Sequence, residues 1–339
     1  MKTYFEISQG ALARSGPERA QVVVYGMPDE AEKQELLDAL HIDRYTLESA
    51  FDPDEIPRVE FTPDQAYIIW KRPANVSFED ALKFQVSSLG LCLQPNRLTI
   101  IVGEKETAAF ESRALQRITS PADVLLKFLL GTIHHYLGHL KAMKQLTAEL
   151  QEKLNVSMEN RYLIQMFTLS ESLVYYQNAL ETSAAVLTKL RANADKIGFS
   201  KEEVDTLDDV IIEHQQCATQ TKIYSMILSG LMDARGNIIN NNMNVLLKNL
   251  TLINVVFLPL TLIASIGGMS EFSMITSGVA WWISYSIFSL GMIGLGLTTW
   301  YILIKRIGQA RRKDGDGREQ PVQSRPAVGT TEASGKQAP

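Results

Sequence analysis

Asn244, Leu247, Thr251, Asn254, Leu258, Thr261 and Ser265 recur at steps of three and four residues. That spacing puts them on one face of one helix, while Leu250, Ile253, Val255, Val256, Leu262 and Ile263 point elsewhere. The face offers amide and hydroxyl oxygens without a fixed charge. Hard divalent cations take oxygen ligands and often keep their water, so such a surface suits them; a dehydrated soft metal would want Cys or His. Leu247 and Leu258 would form apolar constrictions on the same face, and such constrictions gate by dewetting.

Other chemistry-bearing groups are weaker. In "HHYLGH", His135 and His139 stand four apart on one helical face with His134 beside them, which permits two zinc ligands but supplies no third; a packing or surface role is favoured. Cys92 and Cys217 are far apart and have no metal-knuckle spacing, which predicts buried thiols rather than a disulfide. No Walker loop, dinucleotide fingerprint or nucleophile elbow is present, so an enzyme is not expected. Nor is an energy-coupling domain, so any flux runs down its gradient, helped by about 2.3 kcal/mol per charge per 100 mV.

The elements that must position the polar face are long and oily. The chain of 339 residues is 45% hydrophobic with a net charge of −5, average figures that hide two C-terminal runs, Leu250 to Gly268 and Val279 to Ile304, without Asp, Glu, Lys, Arg or His. About 20 helical residues cross a hydrocarbon core of about 30 Å, so two such runs in tandem predict a membrane hairpin. Lys248 precedes the first run, and Lys305, Arg306, Arg311, Arg312 and Lys313 follow the second, whereas the loop from Met269 to Gly278 has no Lys or Arg. Both termini are therefore expected on the cytoplasmic side. The start "MKTYFEISQG" lacks the regions of a signal peptide, in keeping with a cytosolic N-terminal part. Its acidic balance gives no reason to expect nucleic acid as a partner.

Polar side chains at membrane depth are costly and turn toward protein or water. Two readings fit the stripe: the asparagines and threonines hydrogen-bond between helices and fix register, or they line a wet pore. Oxygens spread over the whole depth favour the pore. One helix cannot enclose one, so a closed ring of identical chains is required.

The first part of the chain reads as α/β. "RAQVVVYG", "QAYIIWKRP" and "NRLTIIVGE" are strand-like, and "DEAEKQELLDALH" is an amphipathic helix. Ser120-Pro121-Ala122-Asp123 supplies an N-cap, a first-turn proline and an early carboxylate, and long helical periodicity follows, with a break around "NADKIGFSKEE". From about Ser200 a helix runs without an obvious stop toward the first apolar run. Val204, Leu207, Ile211, His214, Ala218, Thr221, Ser225, Leu228 and Met232 form a narrow stripe of mixed polarity, as expected of a helix packed against copies of itself. The same count, continued into the first spanning segment, is expected to land on the Asn244 to Ser265 face. Trp281, Trp282, Tyr285, Trp300 and Tyr301 suit interfacial belts, and Gly291, Gly294 and Gly296 allow the second span to pack closely on the first.

"NVLLKNLTLINVVFLPLTLIASIGGMS" resembles the first transmembrane helix of the CorA and ZntB family of divalent cation transporters. "PRVE" at Pro57 to Glu60, "LTIIV" at Leu98 to Val102, the "SPADVLLKFLLGTIHHYLGHL" helix and "SGLMD" at Ser229 to Asp233 fall where that family has similar segments. The resemblance implies an α/β/α sandwich in the cytosol, a long stalk helix, two transmembrane helices and a funnel-shaped homopentamer in the bacterial inner membrane. Its partners would be its own copies, the lipid and divalent cations such as Mg, Zn, Co or Ni, the cation being substrate and possible regulator with no tightly bound cofactor.

On that frame the chain divides into an α/β domain at 1–119, its helical part at 120–199 and the stalk at 200–249. The pore helix at 250–268, external loop at 269–278, second span at 279–304, basic end at 305–313 and disordered tail at 314–339 complete it. The family's pore positions fall on Asn244, Leu247, Asn254, Leu258 and Thr261, and its entrance on Gly268, Met269 and Ser270. Here Ser270 stands where family members carry the asparagine of a Gly-Met-Asn signature. A ring of hydroxyls reaches less far than a ring of amides. Gly267 and Gly268 let the backbone turn out of the helix, and Glu271 beside them either concentrates cations or is a solvated loop carboxylate. Asp209, in "LDDVIIEH", matches the place of a regulatory metal-binding carboxylate, an alternative to an ordinary surface acid. The change at Ser270 leaves a second reading open, a scaffold or sensor that no longer conducts.

Overall fold

The computed structural model describes residues 1–74, 83–103, 117–156, 160–270, 274 and 277–316. The chain forms two compact units, Met1–Gly236 and Asn237–Pro339.

The first unit is built on a seven-stranded sheet. Its strands are β1 (Lys2–Ser8), β2 (Ala11–Arg14), β3 (Val22–Gly26), β4 (Arg58–Phe61), β5 (Ala66–Pro73), β6 (Val86–Gln94) and β7 (Arg97–Val102). They lie in the order β2-β1-β3-β7-β6-β5-β4, and only β3 and β7 pair in parallel. Residues alternate between two covered faces, as a pleated strand requires. Val22, Val24, Ile68, Trp70, Leu91 and Ile100 enter one core, and Val23, Tyr25, Tyr67, Ile69, Cys92 and Ile101 enter the other. Both being covered, β3 is buried along its whole length.

The second core is closed by α1 (Glu30–Leu40) and α2 (Arg44–Ser49). Asp29 and Glu32 form a reciprocal capping box at the start of α1. The first core is closed by α3 (Pro121–Val156), α4 (Asn160–Ala192) and the beginning of α6 (Lys201–Gly267), so three layers form an α/β/α sandwich. The Ser120 cap expected from the sequence is in place: its hydroxyl accepts from the Asp123 amide at 3.0 Å. The expected break holds the short α5 (Ala194–Ile197), ended by Gly198 at φ 84°. Ser200 and Glu203 then cap α6 reciprocally, at 3.3 and 2.7 Å.

One expectation is corrected. The stripe on α6 is not free to meet copies of the chain: Leu207, His214, Thr221 and Leu228 are all buried, in or against the chain's own core. Thr221 is tolerated there because its hydroxyl donates to the Cys217 carbonyl at 2.9 Å.

The second unit holds the rest of α6 and α7 (Trp281–Asp316). Two helices, α6 and the Trp281–Ile302 part of α7, are long and apolar enough to cross a membrane. The helix of α7 continues through the basic end to Asp316, so the first residues of the expected tail are helical.

Candidate functional site

The seven stripe residues, Asn244, Leu247, Thr251, Asn254, Leu258, Thr261 and Ser265, are all exposed. The side of α6 that is covered is a different one. Leu252, Val256, Pro259, Leu260, Ile263 and Gly267 are partly or fully buried, and two of them meet α7. A Cβ on Gly267 would stand 2.5 Å from Cζ of Phe288, and one on Gly296 would stand 3.3 Å from Cδ1 of Leu260. With about 100° of turn per residue, the centre of the polar stripe lies roughly 160° from the centre of this packing face. α6 therefore gives its apolar side to α7 and leaves its oxygens on the far side.

Met232 and Asn244 are twelve residues apart. Alternating steps of three and four residues do not span that distance, so the polar stripe does not continue the count of the buried one.

Thr251 and Thr261 donate their hydroxyl hydrogens to the carbonyls of Leu247 and Phe257, at 2.8 and 2.7 Å. Their hydrogens are thereby spent within the helix and their lone pairs remain available as acceptors. Pro259 lies inside α6, where its ring nitrogen cannot donate to the Val255 carbonyl. Leu258, directly before it, is 69% exposed and, with Leu247, is one of the two apolar groups among the seven residues of this face.

The helix closes at Gly267: the Gly268 amide reaches the Ala264 carbonyl at 3.0 Å, and the Met269 amide reaches that of Ile266 at 3.1 Å. Gly268, Met269 and Ser270 follow and are exposed. Glu271 lies outside the described residues.

The remaining candidates separate from this face. Asp209 is exposed on α6, next to Asp208, which pairs with Arg191 at 2.6 Å. His135 and His139 touch edge to face at 4.3 Å, but His139 Nδ1 is engaged with the Tyr176 hydroxyl at 2.6 Å and its ring packs on Phe84. Burial, then the neighbouring His135, brings His139 down to about 4. Among the described residues no three His, Cys, Asp or Glu side chains gather as a metal site. Of the three glycines expected to admit close packing, only Gly296 faces α6; Gly291 and Gly294 have open space around them. Sequence reasoning did not single out Phe288. Its signal is the four-residue ladder Ser284, Phe288, Met292 and Gly296, each half-buried on α7.

Residues 23–306 match the family described as CorA-like Mg2+ transporter protein. The chain is 26% identical over 251 residues to the cobalt/magnesium transport protein CorA of Methanocaldococcus jannaschii, covering 72% of this chain and 77% of that protein. The Thermotoga maritima protein of the same name is 26% identical over 234 residues, 66% of this chain and 65% of its own length. Among solved structures, the complete CorA magnesium transporter from M. jannaschii superposes with a TM-score of 0.73 at 21% identity, over 89% of this chain and 96% of that one. Full-length CmaX superposes at 0.69 and 12% identity, over 90% and 97%, and the ZntB cytoplasmic domain from Vibrio parahaemolyticus at 0.55 and 12%, over 70% and 98%. Two helices able to span a bilayer, in a chain matched along most of its length by a transporter family, make this a membrane protein. The chain belongs to the CorA-like family of divalent cation transporters.

Proposed function

We propose that the chain carries divalent metal cations, partly hydrated, through a pore lined by the first spanning helix of each subunit in a homopentamer. The relatives' names point to cobalt and magnesium; zinc and nickel, which otherwise prefer nitrogen or sulfur ligands, would pass the same oxygens only as hydrated dications. The observation that carries the reading is the placement of the oxygen stripe opposite the face that packs on α7. If α7 lies outside and toward lipid, the stripe of each copy faces the axis of a ring. Hydrated cations would enter past Gly268, Met269, Ser270 and Glu271, pass the oxygens of Ser265, Thr261, Asn254, Thr251 and Asn244, and meet constrictions at Leu258 and Leu247.

Both termini then lie in the cytoplasm, the membrane being the bacterial inner one. Asp209, exposed on α6, is a place for a regulatory cation; Asp209→Ala would weaken inhibition by internal divalent ions. Uptake of magnesium, cobalt, nickel and zinc into liposomes holding the purified protein tests conduction, and flux no greater than in empty vesicles for all four overturns it. The subunit count is read by native mass spectrometry.

The second reading, a non-conducting scaffold or sensor, rests on Ser270 in place of asparagine. Ser270→Asn separates the two: magnesium flux gained from nothing supports the scaffold, and altered selectivity of an existing flux supports the transporter.

A further inference from the structure

The end of the pore helix has a contact that no side chain at its position would survive. The Phe288 ring of α7 lies on the bare backbone of Gly267, the last residue of α6, and a Cβ there would stand 2.5, 2.9 and 3.0 Å from Cζ, Cε1 and Cε2. Gly267 is buried, while its neighbours Ile266 and Gly268 are exposed. The contact is thus local, made where the helix stops and three residues before Ser270. Gly267 is not needed for a left-handed turn: the only described glycines with positive φ are Gly10 and Gly198. Its lack of a side chain serves the ring.

We propose that Phe288 is a positioning residue for the pore mouth: seated on Gly267, it fixes the direction in which Gly268, Met269 and Ser270 leave the helix, and so the aperture that selects among hydrated cations. The proposal rests on the conduction reading for its consequence, but the contact itself can be read without flux. A ring fitted on a bare backbone gives way only by leaving its rotamer or by shifting the α7 helix that carries it, and either would disturb the packing at the helix end. The second contact, Leu260 with Gly296, is looser at 3.3 Å and involves the end of a flexible side chain. It holds the helices together without fixing the exit.

The test uses the full chain in liposomes with Ser270→Cys as reporter, labelled from the aqueous side with an impermeant thiol reagent; the native Cys92 and Cys217 are buried. Gly267→Ala is expected to change the labelling rate by about fivefold or more, as overpacking of a fitted contact displaces the mouth. Phe288→Leu lacks Cε1, Cε2 and Cζ, the three atoms concerned, and combined with Gly267→Ala it restores the original rate. In chains that keep Ser270, the same variants shift the ratio of magnesium to cobalt flux, and the pair restores it. Unchanged labelling and flux ratio in Gly267→Ala overturn the proposal, as does a change that Phe288→Leu fails to reverse. Should Gly267→Ala not assemble, Phe288→Leu alone decides: labelling altered in either direction supports the strut, and labelling equal to the parent removes it. Labelling that follows this pattern in a protein passing no cation keeps the strut while removing conduction.

Discussion

The hydroxyl of Ser120 donates to the carboxylate of Glu203, so the caps of α3 and α6 are joined by one hydrogen bond. Glu203 also accepts from the Ser200 amide at 2.7 Å and is buried, 8% exposed. Glu203→Ala removes both bonds and leaves two helix starts short of a partner. The expected cost is about 2 kcal/mol, the scale of a lost cap plus a buried unsatisfied donor. A lower melting temperature of the purified chain reads it, with Glu203→Gln falling between; an unchanged melt refutes the account.

Gly90 on β6 faces Tyr67 on β5, its partner strand. A Cβ at Gly90 would stand 2.7 Å from the Tyr67 hydroxyl and 3.0 Å from Cβ of Ala50. That hydroxyl donates to the Thr46 carbonyl at 3.2 Å, tying the sheet to α2. Gly90→Ala is expected to cost about 1–3 kcal/mol by overpacking. Tyr67→Phe, which removes the colliding oxygen, should recover part of the loss in the double variant.

Acid should weaken the first unit through its histidines. His214 and His139 are both held down to about 4 by burial, against 6.5 for an exposed imidazole. The unfolded chain then binds protons that the folded chain refuses, so stability present at neutral pH is lost as pH falls from 6.5 toward about 4, and the loss levels off below that. His214→Gln should flatten the melting temperature measured between pH 7 and pH 4.5, and a slope as steep as the parent's would assign the acid sensitivity to other groups.

On the polar stripe, size and polarity should act in opposite directions. Asn254→Leu extends the apolar stretch around Leu258 and is expected to reduce cation flux about tenfold or more by favouring a dry lumen. Leu258→Ala removes a constriction and should raise flux. Tracer uptake with subunit assembly checked in parallel measures both, and equal flux in all three proteins would mean that the stripe does not line the path.

Much of this was legible in the sequence because single-residue chemistry carried it. The Ser120 cap, β3, β5, β7 and the two apolar runs stand out by composition and period. β6 did not: "VSSLGLCLQ" carries Ser87, Ser88 and Gly90, which look like turn residues but lie in a covered strand, where Gly90 makes room for Tyr67. The stripe on α6 was misassigned for a related reason. His214 and Thr221 look too polar for a core, yet Thr221 bonds its own helix and His214 stays neutral beside Trp70, with ring centroids 6.2 Å apart. At the site, the oxygen face could be read from spacing alone. The face opposite it could not, because knowing that Gly267 and Gly296 meet α7, while Gly291 and Gly294 do not, requires the partner helix.

The threonine hydroxyls that donate back to Leu247 and Phe257 give the stripe a fixed electrical sense. With those hydrogens turned inward, a pore lined in the proposed way would greet a passing ion with negative dipole ends, favouring positive over negative solutes without carrying any net charge. Nothing on Thr251 or Thr261 gains or loses a proton in the physiological range, so such a preference would hold steady while the histidines beneath the sheet respond to acid.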